Sequence, residues 1–308
     1  MSEKTKISWC DSTHNLWFGC EPVSEGCANC YARRVWARLG VNHGERKRAS
    51  EATRKEPLKW NKTDWLCGEC GDPWPNAWAA DCACGQPAGT GKMRRRRVFC
   101  GSLMDWLDPK VPVAWLTDLL ETIVRTPNID WLMLTKRTEQ YEPRMREARN
   151  YGLRECGNGS VNGVGGGLAA WLLNGNSQSN MWIGVTAENQ EQWDKRVPEL
   201  IRIPAVKRFV SVEPMLGPIE MKGYFGMKPD WIIFGGESGP NARPCNIQWI
   251  RDGLSQCRAA GVPVFVKQMG AKPFNQVGDS RFWQGYYDKK GGEPAEWPED
   301  LRVREFPE

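Results

Sequence analysis

Three cysteines, Cys20, Cys27 and Cys30, fall close together in the stretch GCEPVSEGCANCYA, and no fourth follows within the next thirty residues. Zinc ribbons and disulfide frameworks usually use cysteines in even numbers. Three thiolates suit a different chemistry, in which they hold three irons of a four-iron four-sulfur cluster and leave the fourth iron without a protein ligand. Such an iron binds the amino and carboxylate groups of S-adenosylmethionine (SAM) and passes it one electron. The sulfonium then cleaves to methionine and a 5′-deoxyadenosyl radical, which abstracts a substrate hydrogen. Full four-cysteine ligation is the usual pattern of a pure electron carrier. A three-cysteine loop before the helix-like YARRVWARLG therefore points to open-site chemistry. Two other readings stay open from the residues alone: a structural zinc completed by Cys10 or His14, and thiols that bind nothing.

A second group is supplied by CGEC at 67–70 and CAC at 82–84, which bring Cys67, Cys70, Cys82 and Cys84 into one insertion. Four thiolates without histidine suit a closed tetrahedral zinc site, which would fold a segment too short for its own core. An auxiliary iron–sulfur cluster is the rival, because spacing does not separate the two. Directly after it comes GKMRRRRVF, with four arginines from Arg94 to Arg97. Beside Trp65, Trp74 and Trp78, that run suits a nucleic-acid backbone. A solvated strand start is the plain alternative, and at most alternate arginines of a strand share one surface. With only two histidines, His14 and His43, the chain is poorly equipped for histidine-rich zinc hydrolysis or Ser-His-Asp and Cys-His nucleophiles.

These groups need a scaffold. Six short apolar segments read as strands buried on both faces: 96–106, 130–137, 181–189, 207–214, 230–239 and 263–270. Helix-like stretches lie between them at 112–126, 138–152, 189–203 and 246–261, the last ending on Gly261. Alternation of this kind predicts an α/β fold with a parallel sheet, a partial (β/α) barrel of about six or seven strands. A Rossmann-type sheet is the alternative, but no strand precedes a G-x-G-x-x-G fingerprint. We expect one barrel domain over 1–308, interrupted by the cysteine-rich insertion at 61–96. A Gly/Asn/Ser-rich loop at 156–180 is expected to be flexible, either a tolerated insertion or a lid.

The motifs ISWCDSTHNLWFGCEPVSEGCANCYA, VFCGSLMDWLDPKVP, LMLTKR, WIGVTAEN, FVSVEPMLGPI, WIIFGGESGPNARP, VFVKQMG and EWPEDLRVREFP run in this order along the chain. Their set and order resemble the phage Gp37/Gp68 family of uncharacterised proteins, which looks like an offshoot of the radical-SAM superfamily. The resemblance implies a radical-SAM barrel with a four-iron four-sulfur cluster on Cys20, Cys27 and Cys30. In such a barrel the ligand-binding groups gather at the C-terminal strand ends. Lys136, Glu213, Glu237 and Lys267 are then the expected catalytic groups. Tyr31, Ser102, Asp105, Glu188, Ser211, Gly235, Gly236 and Ser238 are the expected cofactor contacts. The chain departs from the common radical-SAM pattern in two places. The first cysteine gap is six residues rather than three, with Asn29 where an aromatic usually precedes the last cysteine. The G-G-E sequence at 235–237 also comes late, so Ser102 is the candidate at the early strand tip.

The bulk numbers set the remaining bounds. A chain of 308 residues, 40% hydrophobic and 26% charged, is an ordinary globular composition. No apolar run approaches the roughly 18 residues needed to span a bilayer, and the N-terminus lacks a secretory h-region. The expected compartment is the cytoplasm, where most of the 12 cysteines would stay reduced. A net charge of +5 permits an anionic partner without demanding one. The 17 tryptophans are core residues in the first instance and base-stacking platforms in the second. The chain thus reads as a radical-SAM enzyme that modifies or repairs a nucleobase in DNA or RNA, with SAM, a cluster and one zinc. Its expected partners are an electron donor such as flavodoxin or ferredoxin, and a further partner protein in the site is left open. The alternatives are a radical-SAM enzyme for a small metabolite and a non-catalytic, zinc-stabilised nucleic-acid-binding protein.

Overall fold

The computed structural model describes residues 4–42, 44–62, 65–74, 81–82, 84–87, 93–157, 177–221, 227–277, 280–283 and 285–308. Most of the 156–180 loop, together with Trp78 and His43, lies outside them.

Seven parallel strands form the main sheet: β1 (Ser12–His14), β2 (Arg96–Cys100), β3 (Ile129–Thr135), β4 (Met181–Thr186), β5 (Lys207–Val212), β6 (Trp231–Gly235) and β7 (Val264–Gln268). Each pairs with the next in the chain, so spatial order equals sequence order. A doubly wound sheet would reverse its order at a switch point; this one curls in a single direction into a half-barrel. The connecting helices are α1 (Ala32–Arg38), α2 (Val113–Val124), α3 (Tyr141–Gly157), α4 (Gln190–Arg202) and α5 (Ile247–Ala260). Their ends follow local signals: the side chains of Asn189 and Asn246 cap α4 and α5, and Gly261 ends α5 in the left-handed region at φ 60°.

Side-chain alternation divides the strands between two cores. Val98, Trp131, Met133, Ile183, Val210, Ile232 and Val264 face the helices. Phe99, Leu132, Trp182, Phe209, Trp231, Ile233 and Phe265 line the concave side, joined by Trp9 and packed against Phe306. These aromatics meet tilted or edge-to-face, as with Trp182 and Trp231 at 6.3 Å and 90°. The tryptophans are therefore chiefly core residues, with Trp65 among the exposed exceptions.

Strand β1 is not among the strands expected from sequence. It is three residues long and carries no apolar run; Ser12 and His14 are buried because their neighbours cover them. At the other edge, residues 303–305 run antiparallel beside β7, with Val266 N–H donating to the Val303 carbonyl at 2.8 Å and Glu305 N–H to the Val264 carbonyl at 2.8 Å. No described helix is long and apolar enough to cross a membrane.

Candidate functional site

The three cysteines lie between β1 and α1, in a loop that crosses the C-terminal ends of the strands. Asn15 at the end of β1 donates to the Ser102 hydroxyl at 2.8 Å and accepts Leu103 N–H at 2.8 Å, fixing the start of the loop to the tip of β2. Gly19 then pairs with Met104, and the Tyr31 hydroxyl donates to the Ser102 carbonyl at 2.7 Å. At the tip of β3, Arg137 donates to the Cys20 sulfur at 3.2 Å and to the Glu21 carbonyl at 2.9 Å. Asp105 holds that arginine at 2.8 Å and also accepts from the Thr135 hydroxyl, Lys136 N–H and Leu107 N–H.

The far side of the loop is tied to β4 and β6. Glu188, fully buried, pairs with Arg196 at 2.9 Å and accepts Gly26 N–H at 3.1 Å. Gly26 is a glycine by necessity: a Cβ there would lie 2.8 Å from the Glu188 carboxyl carbon. Glu237 takes two bonds from the Arg243 guanidinium at 2.6 and 2.9 Å, a third from its backbone N–H, and one from Asn29 at 3.1 Å. Arg243 also donates to the Glu25 carbonyl at 3.0 Å. Four strand tips thus hold one loop.

Electrostatics differ among the thiols. Burial pushes Cys20 up to about 11, with Asp105 adding to the effect and Arg137 opposing it. Burial also works against the Cys27 thiolate, but the charge of Lys136 and hydrogen bonds from the backbone at Val23 and Ser24 outweigh it and lower its pKa. A donor set of three thiols in one loop, bordered by Lys136 and Arg137, fits an anionic iron–sulfur cluster. Neither proposed fourth zinc ligand joins it. His14 packs edge-on between Trp60 and Trp131 on the helix side, and Cys10 is buried in the concave aromatic core.

Below the loop, alternation turns Gly184, Ser211, Glu213, Gly235 and Lys267 toward the concave side, above the aromatic floor. Glu213 and Lys267 form an ion pair there, each partly open to solvent. The pair crosses over Gly235, where a Cβ would lie 3.3 Å from Glu213 Cγ. Gly236 has a different explanation, since a Cβ on it would meet the Met269 carbonyl oxygen at 2.2 Å. Ser238 sits half-exposed beside buried Glu237.

The expected site residues therefore fall into two sets. Lys136, Ser211, Glu213, Gly235 and Lys267 border the space between loop and floor. Ser102, Asp105, Glu188 and Glu237, and Tyr31 through its hydroxyl, spend hydrogen bonds on holding the loop. Arg137, Arg196, Arg243 and Asn29 complete those anchors; Arg137, Arg243 and Asn29 lie inside the quoted motifs, but spacing does not pair them with their carboxylates.

The four-cysteine group lies at the opposite end of the sheet. Residues 66–67 pair antiparallel with 93–94, just before β2 begins, and Arg94 donates to both oxygens of Asp11 at 2.6 and 2.8 Å. The sulfurs of Cys67, Cys70, Cys82 and Cys84 all lie within 4.8 Å of one another, so the group could hold a metal ion. The arginines of the run each have their own partner. Arg94 is bound to Asp11 and Arg95 to Asp130, at 3.6 Å. Buried Arg96 donates to the Ser12 hydroxyl, while Arg97 stacks 3.8 Å from the Phe306 ring centre. Alternate arginines face opposite sides of the sheet; Arg96 is buried, and Arg94, Arg95 and Arg97 are half-buried.

Fold and site together define a parallel α/β half-barrel protein with a three-cysteine loop at the C-terminal strand ends and a four-cysteine group at the other end. The profile of the family described as "Protein of unknown function (DUF5131)" matches residues 4–290, and the chain belongs to that family. No curated protein and no solved structure matches the chain.

Proposed function

We propose that this protein is a radical-SAM enzyme whose four-iron four-sulfur cluster is ligated by Cys20, Cys27 and Cys30. One observation carries the reading: a loop with three thiols spans the C-terminal ends of a parallel half-barrel and is tied to the tips of β2, β3, β4 and β6. Binding groups collect at that end of such sheets. When bound, the cluster relays one electron, from a flavodoxin- or ferredoxin-type donor, to the sulfonium of SAM, whose C5′–S bond breaks to give methionine and a 5′-deoxyadenosyl radical. The chain's own part is to hold and shield. Lys136 and Arg137 offset the negative charge of the thiolates. The Glu213–Lys267 pair offers SAM or substrate a carboxylate and an ammonium, and the aromatic floor keeps water from below.

Two substrate classes follow. A nucleobase in DNA or RNA remains one, and in a duplex it would have to leave the stack to meet the radical. The individual partners of Arg94 to Arg97 favour the other, a small metabolite, because they leave the run less free to act as one phosphate-binding patch.

The test is iron, sulfide and electron paramagnetic resonance on anaerobically reconstituted protein, before and after SAM. About four irons per chain and a SAM-dependent spectrum are expected. Cys27→Ala should lose the signal and the release of 5′-deoxyadenosine while the circular dichroism of the barrel persists. Full SAM cleavage by that variant would overturn the ligand assignment. Salt-sensitive DNA or RNA binding by the intact protein would favour the nucleobase substrate.

A further inference from the structure

We propose that Cys67, Cys70, Cys82 and Cys84 bind a single zinc ion, and that this ion ties their two short arms to each other and to residues 93–94 at the closed end of the half-barrel, away from the three-cysteine loop. Sulfur spacing is the first ground. Zinc–sulfur bonds of about 2.3 Å in a tetrahedron place sulfurs about 3.8 Å apart. Here Cys67 and Cys84 are 3.7 Å apart, Cys70 and Cys82 3.5 Å, and Cys82 and Cys84 3.5 Å. A four-iron cluster interposes a cube of iron and sulfide between its thiolates and holds them farther apart. The spacing therefore suits one ion.

The backbone is shaped for the same purpose. Cys67 is hydrogen-bonded by the backbone at Cys70 and Glu69, Cys70 by that at Asp72, and Cys82 by that at Cys84. Each arm carries a glycine directly after its last cysteine, Gly71 at φ 74° and Gly85 at φ 89°, in the left-handed region. Two tight turns thus direct amide groups at sulfur, the arrangement a metal-bound thiolate needs. The apolar support is small: among the described residues it consists of Cys67, Trp74, Cys82 and part of Met93. A metal–thiolate bond set adds the cross-links that such a small described cluster does not supply by burial.

The location gives the role. The arm at 93–94 leads into the N-terminal end of β2, and Arg94 binds the two oxygens of Asp11, which also accepts Arg97 N–H at 2.8 Å. Asp11 directly precedes β1. The clip therefore sets the relative position of the first two strands from below, and the radical chemistry proposed above sits at the other end of the same strands. An auxiliary cluster relaying electrons to SAM would belong on that other face.

The experiment uses the full chain with Cys20, Cys27 and Cys30 all changed to alanine, so that iron at the loop cannot contribute. Elemental analysis should find one zinc and no iron per chain. Cobalt(II) in its place should give the visible absorption of a tetrahedral thiolate site. In the otherwise unaltered chain, mercurial titration of the thiols should release one zinc to a chromogenic chelator. Cys70→Ser and Cys84→Ser should each weaken zinc retention at least tenfold against that chelator. Iron and acid-labile sulfide at the four cysteines, or full zinc retention in both serine variants, would overturn the proposal. A zinc result stands whether or not the loop binds a cluster, so the two assignments fail separately.

Discussion

His14 and Glu188 show how single buried side chains set the acid limit of this protein. Burial depresses the His14 pKa to about 3, and neither ring nitrogen has a hydrogen-bond partner among the described residues. The unfolded chain, with a pKa of about 6.5, binds the proton more readily, so stability falls as pH drops below that value. The slope from this group is about 1.4 kcal/mol per unit. Urea titrations at pH 6.5 and 5 should differ by about 2 kcal/mol through His14, and His14→Phe should remove most of that difference. Glu188 acts in a lower window. Burial opposes its ionisation, but the charges of Arg196 and Lys136 help outweigh it and hold the pKa below the usual carboxylate value. Its contribution is present above about pH 4.3 and is lost as pH falls through the lower folded value. Glu188→Ala should cost about 3–5 kcal/mol in urea unfolding, because Arg196 is left buried without its partner.

The loop and the strands that hold it differ in how far their sequence reveals them. Strands β2 to β7 each carry a short apolar run buried on both faces, and are readable for that reason. The polar β1 is buried only through partners far along the chain, such as Arg96 against Ser12, which no local pattern records. Cys20, Cys27 and Cys30 are visible by type and spacing. The anchoring carboxylates are visible as strand-tip residues, but their pairing is not, since Arg137, Arg196 and Arg243 find Asp105, Glu188 and Glu237 at unrelated separations. The arginine run is similar: four like charges in sequence resemble a patch, and each meets a different distant group. The anchors are testable as a set. Glu237→Gln keeps the shape but weakens the grip on Arg243 and Asn29. Hydrogen exchange of residues 20–31 should speed up and iron retention fall, with the melting temperature little changed. Unaltered exchange there would remove Glu237 from the anchor set.

Taken whole, the molecule has two ends with separate duties: the C-terminal strand ends carry the three-thiol loop, and the opposite end is closed by aromatics and the four-cysteine group. Phe306 belongs to that closure, 5.2 Å from the Trp231 ring centre and 5.3 Å from that of Phe265, with Arg97 stacked on it. Because it is only partly buried, Phe306→Ala should cost about 2–3 kcal/mol in urea, somewhat less than a fully buried phenylalanine. The reconstituted cluster spectrum should be unchanged. Residues 303–305, beside Phe306, occupy the hydrogen-bonding edge of β7. If they detach, by proteolysis or substitution, amide and carbonyl groups on the edge of an apolar strand open to solvent. Another copy of the same strand could then take their place. The segment is thus a guard against sheet-to-sheet polymerisation, and its loss should show first as light scattering in concentrated solution.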